Sequence, residues 1–532
     1  MDRRSLLRGS AAVAAGSFAA STPALAQPAG SRLLKFVPQA NLTSLDPIWT
    51  TATVTRNHGY LVYDTLYGID EQFRPHPQMA EGTLFEEGGR VATITLRGGL
   101  FFHDGEPVRA QDAVASLQRW MARSPMGQKL RDYTEELTAL DDRRLRFRLR
   151  RPFPLLLTAL GSVATPTPFI MPERLARTDP FQQIREAVGS GPFRFNASEY
   201  NSGSLATYSR FERYAPTTVP GPNSLTAGPK TAHFDRLEWH IIQDAGTATS
   251  ALIQGEMDWF EQPTPENQLL LRRNRNVSVE MLTRFMSLGV LRFNHLHPPF
   301  NDPAIRRALL PAVSQSDFMI AVQGTDPQNF DAQCGVFTPG TPLASDAGLE
   351  PLRGPRSIDR ARQALRDAGY TNQPVRIIGP TDILAPAAIT QVAGDLFRRL
   401  GMNLDLVLSD WGTVVQRRTS REPLERGGWS VTCTTFAGFE TADPAGHFPL
   451  RGNGLNAWPG WPTSPRLEAL RDAWFDAAEL PEQQRIAREI QTVAMEELPF
   501  LPIGAVAAIT ALRRNLTGRV PGFAMFWGIR RA

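Results

Sequence analysis

The densest concentration of residues able to recognise a ligand lies at 428–461, GWSVTCTTFAGFETADPAGHFPLRGNGLNAWPGW. Trp429, Phe436, Phe439, Phe448, Trp458 and Trp461 supply large flat apolar faces, and Glu440, Asp443, His447 and Arg451 place charge between them. A pocket wall has this mixture, because apolar faces supply affinity and a few charges fix orientation. A packed loop that plugs a core has the same composition, so residue types leave both readings open. The prolines and glycines of the stretch forbid a helix, and only 429–436 has the character of a short strand.

Groups arranged for bond making are sparse. The chain has no Gly-x-Ser-x-Gly elbow, no His-Glu-x-x-His, no Cys-x-x-Cys and no Gly-x-Gly-x-x-Gly. His295 and His297 would share one face of a strand, but the prolines that follow and the missing third ligand argue against a metal. Gly189-Ser190-Gly191-Pro192 is a glycine turn into a strand with neither the lysine nor the helix of a phosphate loop. His103, in a hairpin, reads as a structural histidine. No catalytic residue, metal or cofactor is expected, and the chemistry that remains is binding.

A chain of 532 residues exceeds one hydrophobic core, so two or three subdomains must position these groups. Hydrophobic content of 42% and charged content of 21% are those of a globular protein. The formal net charge is +4, and +2 without Asp2, Arg3, Arg4 and Arg8; the basic residues are dispersed arginines, with lysine only at 35, 129 and 230. That distribution gives no footprint for nucleic acid. Paired Arg3-Arg4, an alanine-rich run at 11–20 and Ala24-Leu25-Ala26 read as an export signal of twin-arginine type, cleaved after Ala26, with ordinary secretion as the alternative. No later apolar run is long enough to span a bilayer, so the expected location is the periplasm. In that oxidising compartment Cys334 and Cys433 form either a bridge or two buried thiols.

Periodicity predicts strands at 33–37, 91–96, 145–149 and 287–293, and helices at 53–67, 110–122 and 248–254. Beyond 300 the order becomes helix 305–313, helix 358–368, strand 375–378, helix 387–400 and strand 404–408, which argues for a mostly parallel sheet covered on both faces. Helices follow at 464–477 and 482–497, and 500–511 reads as one final strand.

Leu45-Asp46-Pro47, Tyr63-Asp64-Thr65-Leu66-Tyr67, Thr95-Leu96-Arg97-Gly98-Gly99-Leu100-Phe101-Phe102-His103-Asp104-Gly105-Glu106-Pro107-Val108 with Asp112-Ala113-Val114, Gly189-Ser190-Gly191-Pro192-Phe193, Phe293-Asn294 and Arg306-Arg307-Ala308-Leu309 occur in register along the mature chain. Together they resemble the extracellular solute-binding proteins of the dipeptide and oligopeptide type, family 5, which serve ABC importers. The resemblance implies an α/β, two-lobed periplasmic-binding-protein fold with mixed sheets, an inserted subdomain in lobe one and two hinge-crossing strands. It divides the chain into a signal at 1–26, lobe one at 27–289, lobe two at 290–505 and a return to lobe one at 506–532. It implies a peptide or other small-molecule ligand, a membrane permease with its cytoplasmic ATPase as partner, and a monomer. The expected ligand-binding residues are Trp429, Phe436, Glu440, Asp443, Arg451 and Trp458. Peptide-binding members anchor the ligand's ammonium with an aspartate four residues before a proline; here Glu440 stands at that distance from Pro444, with Asp443 as the alternative anchor. An exported hydrolase using the same cleft, and a sensory or structural relative, are the competing readings.

Overall fold

The structure is a computed structural model that describes residues 32–532; the export signal and its cleavage after Ala26 lie outside the described residues. Two large sheets organise it. A seven-stranded sheet runs in the order Val277–Met281, Ile509–Arg513, Trp259–Phe260, Leu33–Val37, Arg236–His240, Leu205–Arg210, Phe193–Phe195. A six-stranded sheet runs Phe330–Asp331, Leu501–Val506, Ser287–Phe293, Val431–Phe436, Pro374–Pro380, Asn403–Ser409. The expectation of a mostly parallel second sheet needs correction. Its first three pairings are antiparallel, and only Pro374–Pro380 pairs in parallel, with Val431–Phe436 and with Asn403–Ser409. Helical crossovers create parallel pairs, and the three remaining strands meet through long returns instead.

A separate four-stranded antiparallel sheet, Ala80–Glu86, Val91–Leu96, Arg144–Leu149, Thr134–Ala139, packs beside the helix Ala110–Arg123. Its strand Arg144–Leu149 alternates as its sequence requires, with Leu145, Phe147 and Leu149 buried and the arginines turned outward.

The chain passes between the large sheets twice. Val277–Met281 gives way to Ser287–Phe293, and Leu501–Val506 gives way to Ile509–Arg513 across Ala507 and Ala508 alone. The run 500–511 is therefore two strands in different sheets rather than one. At the break the Ala507 N–H donates to the Asn329 carbonyl (2.8 Å) and the Leu282 N–H donates to the Ala508 carbonyl (2.7 Å), so each crossing is held by its surroundings. The helix expected at 53–67 is likewise shorter, Thr53–Val62. Tyr63 is already extended, and Tyr67–Ile69 pairs with Pro75–Pro77. Gly68 is needed there for close approach, since a Cβ would lie 2.2 Å from the Thr226 carbonyl oxygen. Cys334 and Cys433 are two separate buried thiols; burial pushes both up, Cys433 to about 12.

The motifs that carry the family resemblance bind the fold to itself. Asp46 receives two hydrogen bonds from the Arg119 guanidinium (3.1 and 2.8 Å) and others from the backbone N–H of Ile48 and Ile184, all out of solvent. Asp64 accepts from Lys230 at 2.5 Å and from the Tyr214 hydroxyl at 2.8 Å. His103 reaches the Gly191 carbonyl through Nε2 (3.0 Å), tying the Asp-Gly hairpin to the glycine turn. Such pairs hold a geometry more than they add net stability, but breaking one strands a charge in low dielectric. Arg119→Met should therefore cost about 3 to 5 kcal/mol, measured as a fall in unfolding free energy by urea titration; a loss under 1 kcal/mol would contradict this role.

Candidate functional site

The stretch 428–461 begins as the strand Val431–Phe436, paired antiparallel with Ser287–Phe293 from Leu288 against Phe436 to Phe293 against Val431. Its irregular continuation is then gripped by Arg292, the one charged residue of that neighbouring strand. The buried guanidinium donates to the carbonyls of Pro459 (2.9 Å), Trp458 (2.7 Å), Pro449 (2.7 Å) and Pro499 (2.8 Å) and lies 5.2 Å from the Trp458 ring centroid. Burial, with Arg306 adding repulsion, pulls it down to about 9. Gly460 permits this approach: at φ +115 a Cβ would meet the Arg292 Nε at 2.4 Å. Backbone carbonyls from three separate segments thus solvate a buried cation.

The six expected residues take different places. Trp458 and Arg451 line a cavity of about 520 Å³ together with Trp49, Arg123, Phe181 and Arg418. Phe436 packs edge-on against Trp458 at 5.4 Å. Trp429 sits behind, 6.0 Å from Trp461, with its indole N–H donating to the Arg418 carbonyl (3.0 Å). Asp443 accepts from the backbone N–H of Ala445 and Gly446; burial raises its pKa and those bonds oppose the rise. Arg451 pairs through Nε with Glu468, 3.3 Å away.

Glu440 reaches across. Its carboxylate accepts from the Thr165 hydroxyl (2.9 Å) and from the Ala437 N–H (3.3 Å), and lies 3.6 Å from Arg56 Nη1. Arg56 comes from the helix Thr53–Val62, which packs on Phe193–Phe195 of the seven-stranded sheet, whereas Val431–Phe436 belongs to the six-stranded one. Its guanidinium stacks on Phe439 (4.7 Å) and Phe523 (4.4 Å), while Nε and Nη1 make no hydrogen bond. Arg56 and the nearby Glu261 both line a second cavity, about 110 Å³, beside the two sheet crossings. Glu261 is held by the Gln39 N–H (2.8 Å) and the Asn57 amide (3.0 Å), yet burial still pushes it up to about 7. Burial also raises Glu440 and lowers Arg56, each opposed by the other's charge. His295 and His297 bond the carbonyls of Pro499 (3.2 Å) and Arg421 (2.8 Å).

Sequence reasoning missed Arg56, Glu261 and Arg292. Arg292 had a readable signal: a lone arginine in the apolar run Ser-Leu-Gly-Val-Leu-Arg-Phe requires buried acceptors. Arg56 and Glu261 are 205 residues apart and meet only through the fold.

Two measurements check this charge network. Arg56→Leu should destabilise by about 3 to 5 kcal/mol because it leaves buried carboxylates uncompensated, and adding Glu440→Gln should return more than about 1 kcal/mol of that loss. Additive losses in urea unfolding would dismiss the coupling. Glu261 has a folded pKa above its unfolded value, so its stabilising contribution is complete below pH 4.5 and is lost as pH rises through about 7. Glu261→Gln should accordingly gain in melting temperature relative to the parent between pH 5 and pH 8; a difference independent of pH would refute the assignment.

The comparisons agree with this architecture. Residues 74–455 match the family described as bacterial extracellular solute-binding proteins, family 5 Middle. The chain is 34% identical over 496 residues to the probable peptide ABC transporter periplasmic-binding protein y4tO of Sinorhizobium fredii, covering 92% of each. Among solved structures it is similar to a dipeptide binding protein of Pseudoalteromonas sp. SM9913 in complex with Met-Leu, with TM-score 0.77, 20% identity and coverage of 94% of this chain and 100% of that one. It is equally similar to the binding protein AgaA of A. tumefaciens R10 in complex with agropinic acid, with TM-score 0.77, 18% identity and coverage of 94% and 99%. The two-lobed fold of those proteins is the arrangement of sheets and double crossing described above, and the chain belongs to family 5 of the bacterial extracellular solute-binding proteins.

Proposed function

We propose that this protein captures a peptide or peptide-like solute between its lobes in the periplasm and delivers it to the permease of an ABC importer. The observation that carries the reading is the meeting of charged groups from both sides of the cleft, Glu440 against Thr165 and Arg56, beside cavities walled by both layers. A ligand that touches both lobes binds the closed arrangement better than the open one, and that difference in affinity drives closure. The lobe limits we propose are 27–289 with 506–532 for lobe one and 290–505 for lobe two; the crossings at 282–286 and 507–508 support them. The name of the Sinorhizobium relative and the Met-Leu complex of the Pseudoalteromonas structure support the ligand class and the transporter partnership.

Within the cleft, Arg451 and Trp458 are assigned to the ligand wall, with Phe436 and Trp429 backing Trp458 and Trp461. Asp443 shapes the loop. Glu440 joins the lobes and, in the expected role, receives a ligand ammonium when one displaces Arg56. Export by the twin-arginine route with cleavage after Ala26, monomeric state, and coupling to a cytoplasmic ATPase belong to the same proposal; no described helix is long and apolar enough to cross a membrane. The family's role is solute binding, so the reading is of a carrier and not of an enzyme.

Calorimetric titration with a dipeptide and oligopeptide library should give saturable one-to-one binding without product. A ligand at about 100 times its Kd should add about 2.7 kcal/mol to stability. Product formation would establish the hydrolase reading instead, and absence of binding while an extract of the native host raises the melting temperature would remove peptides from consideration.

A further inference from the structure

The larger cavity, about 520 Å³, is lined by four arginines: Arg123 from lobe one and Arg418, Arg421 and Arg451 from lobe two. No aspartate or glutamate among the described residues lines it. The arginines differ in what already satisfies them. Arg123 donates to the Trp49 carbonyl (2.8 Å) and stacks on Phe181 (4.9 Å). Arg421 donates to the Leu455 carbonyl (2.8 Å) and lies 5.6 Å from the Trp461 ring. Arg451 shares Glu468 with Arg471. Arg418 has nothing comparable. Its guanidinium is flanked by Trp458 (5.0 Å) and Trp411 (5.3 Å) and, among the described residues, makes no side-chain hydrogen bond and no ion pair. Burial draws its pKa down to about 10, as a cation without a counter-charge requires.

A half-buried guanidinium whose N–H groups no protein acceptor takes among the described residues, set between aromatic faces in a cavity lined by three further arginines, suits an anion with paired oxygens. Aromatic rings hold the cation by their faces and leave its edge for the ligand. The cavity also joins the lobes, since Arg123 lines it from lobe one and the other three from lobe two, so a negative group held there would be attracted from both. We propose that this compartment is a carboxylate-recognition subsite, with Arg418 as its principal anchor, and that the captured solute is acidic, carrying a carboxylate beyond those of a neutral peptide. This selectivity rests on the reading of the protein as a peptide-like solute carrier, but the subsite's preference for carboxylate is separable from it.

The test is calorimetry on the full mature chain with Ala-Glu, its uncharged isostere Ala-Gln, glutarate and inorganic phosphate, for the parent protein, Arg418→Gln and Arg418→Lys. Ala-Glu is expected to bind about tenfold or more tighter than Ala-Gln, with the advantage falling as salt rises. Arg418→Gln should reduce that preference to within about twofold, and Arg418→Lys should restore part of it. If Arg418→Gln does not fold, Arg123→Gln on the opposite wall carries the test and should lower the preference without abolishing it. Binding of glutarate with neither dipeptide would uphold the subsite and overturn the peptide reading. Equal binding of Ala-Glu and Ala-Gln would overturn the subsite and leave the peptide reading standing. Tighter binding of phosphate than of any carboxylate, a preference that survives Arg418→Gln, or no binding of any probe would each overturn the subsite.

Discussion

Everything that faces the cleft from the 428–461 stretch depends on one buried cation. Arg292 stands in a strand whose other side chains are apolar or small, and it is solvated by four backbone carbonyls of residues 449, 458, 459 and 499. Those carbonyls belong to proline-bounded segments that have no ladder of their own, so the guanidinium substitutes for secondary structure. The arrangement is reciprocal. The carbonyls of Pro449 and Pro459 would lose this donor without the arginine, and the arginine could not be buried without its four acceptors. Trp458 and Arg451 face the larger cavity with the loop on either side of them fastened to this side chain at Pro449, Trp458 and Pro459 and to Glu468 at Gly452.

Around that fixed loop the protein keeps two charge systems with opposite character. Arg56, Glu261 and Glu440, beside the sheet crossings, are a cation with two carboxylates, so the set is nearly self-compensating although Arg56 Nε and Nη1 go without hydrogen bonds. Of the larger cavity's arginines only Arg451 has a carboxylate partner among the described residues, Glu468, which it shares with Arg471. The first system favours contact between the lobes from within the chain. The second leaves a closed cleft positively charged. A cleft held by its own ion pairs alone would be closed without ligand, whereas one opposed by unanswered charge has its equilibrium set by what enters it.

Much of the fold was readable, for reasons that differ by element. Strands such as Val91–Leu96 and Arg144–Leu149 alternate cleanly because one face is buried and the other wet. The helix Ala110–Arg123 carries its stripe and begins beyond Arg109, whose N–H is received by Asp112. The errors fall where tertiary contacts decide. The apolar spacing through Leu66 and Tyr67 mimics a helix, but Tyr67–Ile69 is claimed by pairing with Pro75–Pro77. The run 500–511 is uniformly apolar, and apolarity alone does not record that its two halves join different sheets. At the site, the aromatic cluster was legible as composition while its direction was not. Trp429 and Trp458 are equally large and apolar, yet one supports Trp461 from behind and the other faces the cavity, because Arg292 sets the path of the chain between them.

Buried charge also explains why specificity can change in this cleft without changing the fold. The motifs shared along the chain, Asp46 with Arg119 and Asp64 with Lys230 among them, are paired charges within lobe one and away from the cavity walls. Replacing either partner costs stability directly, so these positions are constrained by folding. Among the described residues Arg418 has no carboxylate partner, and its replacement by a neutral residue would strand no opposite charge. At such a cavity-wall position the side chain is free to follow the ligand, whereas at Asp46, Arg119, Asp64 and Lys230 it is fixed by its buried partner.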